Sequence, residues 1–121
     1  TMGMHEVLSN AVENVQGARL AGIVGTDGLG VEMVLNDVEA GFDRTLAEVE
    51  IGGLAAAASA ATSRMKAGEM RDLIVEAEHL TYLATQIIPG YFAVIGLAPN
   101  GNLGRARFAL RQMVAKLQET M

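Results

Sequence analysis

Tyr91-Phe92-Ala93-Val94-Ile95-Gly96-Leu97-Ala98, then Pro99-Asn100-Gly101-Asn102, then Leu103-Gly104-Arg105-Ala106-Arg107-Phe108-Ala109-Leu110: this stretch decides how the chain folds. Residues 91 to 98 are apolar at both odd and even positions, as a strand covered on both faces must be. The Pro-Asn-Gly cluster stops that strand. Asn102 can then accept a hydrogen bond from the first turn of a helix. From there the apolar positions switch to helical spacing, with Leu103, Ala106, Leu110, Met113, Val114 and Leu117 forming one stripe over about 103–119. Lys116 near the end of that helix suits its dipole. A doubly covered strand running into an amphipathic helix implies a sheet with helices laid on it.

Working back from this point, Pro89-Gly90 reads as a turn and Tyr82 to Ile88 as the strand before it. Residues 70 to 78 alternate, with Leu73, Val75 and Ala77 on one face and Asp72, Ile74, Glu76 and Glu78 on the other. One-sided burial predicts a strand near a sheet edge. Upstream, about 45 to 66 is rich in Ala, Leu, Glu and Met and predicts a helix, with Gly68 ending it. The middle of this helix is smooth: Gly52, Gly53 and Ala55 to Ala61, broken only by Ser59, present almost no large side chain. Residues 36 to 45 have no clear period and read as a connection.

At the N-terminal end, Met4, Leu8, Ala11, Val12 and Val15 predict an amphipathic helix over about 4–15, closed by Gly17. Residues 18 to 25 are apolar on both faces and predict a central strand. Asp27-Gly28 between apolar runs is a hairpin signal, leading into a strand over about 30–35 with Val31, Met33 and Leu35 on one side and Glu32 on the other. The predicted order is α-β-β-α-β-β-β-α, an α/β (α+β) chain with helices on both faces of its sheet. Its 121 residues and 12.7 kDa fit one domain over 1–121.

Composition narrows the function. Hydrophobic residues make up 50% of the chain and mean hydropathy is +0.28, enough to expect part of the apolar surface to meet a partner. The longest strictly apolar run in the middle helix is Leu54 to Ala58, far short of the about 18 to 20 residues of a membrane span, so no membrane insertion is expected. The opening residues Thr1 to Glu6 lack a basic region and an apolar core, so no secretory signal is expected. With no cysteine, thiol nucleophiles and thiolate metal sites are excluded, and a cytoplasmic setting fits. A net charge of −5 argues against nucleic acid. Residues 1–63 carry two basic groups against nine acidic ones, while 64–121 carry seven against five, so the C-terminal half is mildly basic.

No catalytic set emerges. Glu76 and Glu78 lack any partner nucleophile or oxyanion donor. His5 and His79 lack neighbours at metal-ligand spacing and read as solvated or turn histidines. Gly25 to Gly30 lacks the Lys-Ser/Thr of a phosphate loop and reads as a hairpin turn. Arg105, Arg107 and Arg111 could be considered as an arginine finger, but a regular helix suits stem packing and solvation better. The chain is therefore expected to be no enzyme, with no cofactor and no metal.

The stronger candidates are surfaces. Gly52, Ala56 and Ala60 recur every four residues, with Gly53 and Ala57 beside them, a pattern that allows close helix–helix approach; the same face could instead pack on its own sheet. Asp72, Ile74 and Glu76 fall on the outward face of the edge strand, whose backbone could extend a sheet; the alternative is a charged edge that discourages pairing.

The hairpin at Asp27-Gly28, the small-residue middle helix, and above all Asn102-Leu103-Gly104 opening the last helix with Arg107 and Leu110 after it, resemble the roadblock/LC7 family over about residues 4 to 119. The resemblance implies a five-stranded antiparallel sheet with the middle helix on one face and the two terminal helices on the other. It also implies a homodimer formed through the middle helix and third strand, giving one sheet continuous across two subunits. Members act as regulators or scaffolds of Ras-like small GTPases or as dynein light chains, and the family supplies no catalytic residues to transfer. Two readings follow: a non-catalytic homodimeric regulator of a Ras-like GTPase, or a structural adaptor with no effect on GTP turnover.

Overall fold

The computed structural model describes residues 3–28, 30–36 and 41–121. In chain order it contains α1 (Met4–Asn14), β1 (Ala18–Gly25), β2 (Gly30–Leu35), α2 (Arg44–Arg64), β3 (Asp72–Glu76), β4 (Thr81–Ile88), β5 (Tyr91–Leu97) and α3 (Leu103–Thr120), the order expected from the sequence. Part of the expected connection, residues 37–40, lies outside the described residues.

All strand pairings are antiparallel, in the order β2-β1-β5-β4-β3. The two strands read as apolar on both faces, β1 and β5, lie next to each other inside the sheet, and the alternating β3 lies at its edge. Because β1 and β5 are buried above and below, their side chains feed two cores. One, between the sheet and the terminal helices, holds Leu8, Ile23, Ile95, Leu110 and Leu117; the other, under α2, holds Leu20, Val24, Ile51, Phe92 and Val94. One helix on one face and two on the other is the expected arrangement.

Local chemistry sets the element ends. Asn102 Oδ1 accepts from the Arg105 N–H at 3.0 Å, the predicted cap, and Asp43 Oδ1 does the same for Leu46 N–H at 3.0 Å at the start of α2. Gly28, at φ 85°, closes the β1–β2 turn in a conformation that a side chain would strain. Two helix ends differ from expectation. Helix α2 stops at Arg64 rather than running to 66, and Gly68 is not its cap. Lys66 takes the left-handed position at φ 58°, with Ala67 N–H bonded to Thr62 O at 2.9 Å and Lys66 N–H to Ser63 O at 3.0 Å, the two bonds of a Schellman end. Helix α1 ends at Asn14 with an extended Val15, and Gly17, although left-handed at φ 84°, comes after the cap. Strand β3 is also shorter than the alternating segment. Met70 folds into the core under α2, and Ala77 N–H turns back to Leu80 O at 2.9 Å.

Candidate functional site

Helix α2 presents two unlike faces. Ile51, Gly52 and Ala55 are buried, with Ala47 and Ala58 packed beside them, a stripe at helical spacing that meets β1 and β2. A Cβ at Gly52 would come within 2.8 Å of Gly25 O on β1, so the helix approaches the sheet closely enough there that only a glycine fits without movement. On the far side, Leu46, Val49, Gly53, Ala57 and Ala60 are exposed, and a Cβ at Gly53 would meet nothing within 4 Å. The small-residue rows of the sequence are thus divided between the faces: Gly52 belongs to the sheet, Ala56 is half-buried, and Gly53, Ala57 and Ala60 face outward.

The open face carries apolar surface. Among the described residues eight large hydrophobics are exposed, and four of them, Leu46, Val49, Leu54 and Met65, lie on α2 or immediately after it. Leu46, Val49, Gly53, Ala56 and Ala60 follow alternating steps of three and four, the spacing that a second helix can pack along. Because α2 sits mainly over β1 and β2, Leu73 of β3 and Tyr82 of β4 on the same sheet face are only half-buried. Burial raises the Tyr82 pKa above its usual value of 10.0, and the nearby charge of Glu50 on α2 adds to the rise.

On the other expected surface, the face of β3 carrying Asp72, Ile74 and Glu76, the last two residues are exposed, while Asp72 is partly covered by side chains of α3. Asp72 accepts a hydrogen bond from Thr85 Oγ1 at 2.7 Å and lies 3.4 Å from Arg107 Nη2 and 3.5 Å from Arg111 Nη2. Ile74 shares a small cleft with Leu83, Thr85 and Leu110. The β3 backbone still pairs on one side only, with β4. Of the three arginines considered as a finger, Arg107 and Arg111 are engaged with Asp72, and Arg105 is exposed at the start of α3.

Both histidines are largely exposed, and each has a carboxylate beside it. His5 Nδ1 lies 2.5 Å from Glu32 Oε2, joining α1 to β2, and His79 lies 3.5 Å from Glu78 on an exposed turn. Among the described residues no group of three or more His, Asp or Glu could hold a metal ion, and no helix is long and apolar enough to cross a membrane. Sequence reasoning singled out no role for Phe108, an exposed aromatic on α3. A helical projection carried the signal, since Phe108 falls off the Leu103–Ala106–Leu110–Met113–Leu117 stripe.

A five-stranded antiparallel sheet in this order, with α2 on one face and α1 and α3 on the other, is the fold of roadblock/LC7 domains, and roadblock/LC7-domain proteins are among the structural neighbours of the chain. They include MglC from Myxococcus xanthus, 28% identical, with 99% of this chain and 100% of that one covered at a TM-score of 0.73. Myxococcus xanthus MglB matches at 14% identity over 97% of this chain and 93% of that one, with a TM-score of 0.85. A roadblock/LC7 domain from Streptomyces avermitilis matches at 16% identity over 95% and 94%, with a TM-score of 0.82. No family model and no curated protein matches the sequence.

Proposed function

We propose that the chain acts as one domain and forms a homodimer through the open face of α2 and the free edge of β3, and that this dimer binds and regulates a Ras-like small GTPase in the cytoplasm without catalysing a reaction itself. The observation that carries the reading is the outward row of Leu46, Val49, Gly53, Ala57 and Ala60 on α2, beside the half-buried Leu73 and Tyr82 and the one-sided strand β3. A second α2 laid along that row could approach closely because its middle carries no large side chain, and a second β3 would satisfy the free edge. Ala56, Asp72, Ile74 and Glu76 belong to the rim of this interface; Gly52 belongs to its support, holding α2 against β1. The GTPase assignment draws on the family resemblance and on the full-length likeness to MglC.

Regulation by such a dimer needs only that it bind one switch conformation of the GTPase better than another, since a partner shifts an equilibrium by its difference in affinity and no more. The test is to mix the purified chain with each Ras-like GTPase of its source organism and measure binding and GTP turnover. One GTPase is expected to bind and to change its turnover, with the chain alone hydrolysing no GTP. Arg105→Ala and Arg107→Ala should leave most of any activation intact. An arginine finger is worth about 10³ to 10⁵ in rate, so a thousandfold loss from either change in a folded dimer would refute the mechanism. Binding with unchanged turnover would instead make the chain a structural adaptor.

A further inference from the structure

Helices α1 and α3 pack side by side on the sheet face opposite α2, and a shallow groove runs between them. Its wider end, about 590 Å³, lies by Asn102, Arg105 and Phe108, and its narrower end, about 160 Å³, by Val7 and Lys116; Asn14, Val15, Ala109 and Gln112 line both. Phe108 is 66% exposed at the wide end, a large aromatic cost to leave in water on an otherwise well-segregated helix. Charge is distributed unevenly here. Helix α3 carries Arg105, Arg107, Arg111 and Lys116 against Glu119 alone, so it is net +3 in a chain of net −5. Arg107 and Arg111 are directed to Asp72, whereas Arg105 and Lys116 bracket the groove, and among the described residues neither has an ion-pair partner.

We propose that this groove is a second docking surface, taking an acidic amphipathic helix of a partner protein, with an apolar side chain seated against Phe108 and carboxylates against Arg105 and Lys116. Both walls are helices whose backbone groups are already bonded, so they offer no strand edge. The occupant must therefore satisfy its own backbone, which a helix does. Arg105 and Lys116 are eleven residues apart on one face, about 16 Å along the axis, matching about three turns of an incoming helix. The groove and the open face of α2 lie on opposite sides of the sheet, so occupancy of one leaves the other free.

The test uses the full chain and a displayed library of helical peptides about 16 residues long, roughly 24 Å, with a fixed apolar stripe and flanking positions randomised among Glu, Gln and Lys. Selection is expected to enrich Glu at the flanks. Phe108→Ala should weaken the selected peptides about 10- to 30-fold, as loss of a buried aromatic anchor does. Arg105→Glu combined with Lys116→Glu should turn the preference toward Lys-bearing peptides. All three residues are exposed, so thermal unfolding of the variants should match the parent chain. No enrichment, enrichment of Lys on the parent chain, or binding indifferent to Phe108 would overturn the proposal. So would a Phe108→Asp variant that reduces an assembly larger than a dimer, which assigns the groove to a second copy, or that abolishes binding to phosphatidylserine vesicles, which assigns it to lipid. None of these outcomes depends on whether a GTPase binds.

Discussion

The two faces of α2 are built from nearly the same residues and do opposite things. Gly52 and Gly53 are adjacent in sequence, yet a Cβ on the first would meet Gly25 O at 2.8 Å and a Cβ on the second would meet nothing within 4 Å. Ala55 is fully buried and Ala57 exposed. Small side chains under the helix let it approach its own sheet; small side chains on top leave room for a second helix. Residue type alone does not define an interface here. What distinguishes the faces is which of them the sheet has already occupied.

The contrast predicts graded effects. Ile51 is the one large apolar side chain that α2 buries, so Ile51→Ala should cost about 2 to 5 kcal/mol of folding stability, read from urea unfolding at fixed protein concentration. Gly52→Ala should be milder but still destabilising, about 1 to 3 kcal/mol, because the obstructing atom is a backbone oxygen that cannot swing aside. On the other face, Gly53→Leu should leave the circular dichroism spectrum intact and weaken self-association by about 1 to 3 kcal/mol. A Gly53→Leu variant that unfolds while Gly52→Ala does not would invert the assignment of faces.

Smaller effects sharpen the same picture from the sheet side. Asp72→Ala removes the Thr85 hydrogen bond and leaves Arg107 and Arg111 without their carboxylate, at an expected cost of about 1 kcal/mol because both arginines are substantially exposed and screened. The loss should shrink at high salt. The smallest effect concerns Tyr82. Its folded pKa is raised, first by burial and then by Glu50, so the folded state keeps its proton where the unfolded chain has lost it. Its contribution is therefore full below about pH 10 and fades as pH rises from there through the higher folded value. Tyr82→Phe should flatten that alkaline decline, and Glu50→Gln should lower the Tyr82 value in a spectroscopic titration made on a Tyr91→Phe background.

The strands and the last helix were legible because their patterns carry contrast. Tyr91 to Leu97 is apolar throughout, Leu73-Ile74-Val75 is a short apolar run bounded by Asp72 and Glu76, and Asn102 both ends a loop and caps a helix. Helix α2 was legible as a helix but not as two faces, since a run of Gly and Ala gives little hydrophobic contrast around the wheel; Ile51 was the one residue that marked the buried side. The end of α2 was misplaced for a related reason. Glycine is the usual left-handed residue, so Gly68 was the visible stop, whereas Lys66 takes that position and closes the helix earlier. Asp72, read with Ile74 as outward, is partly covered, because alternation separates two faces without saying where a distant helix reaches. Arg107 and Arg111, some 35 and 39 positions along the chain, supply that cover.

Light scattering on the purified chain across micromolar concentrations, run beside Gly53→Leu, tests the central claim most directly. The account predicts a mass twice the 12.7 kDa of one chain for the parent, with the variant shifting toward a single chain while remaining folded. A parent mass of one chain at every concentration would contradict it.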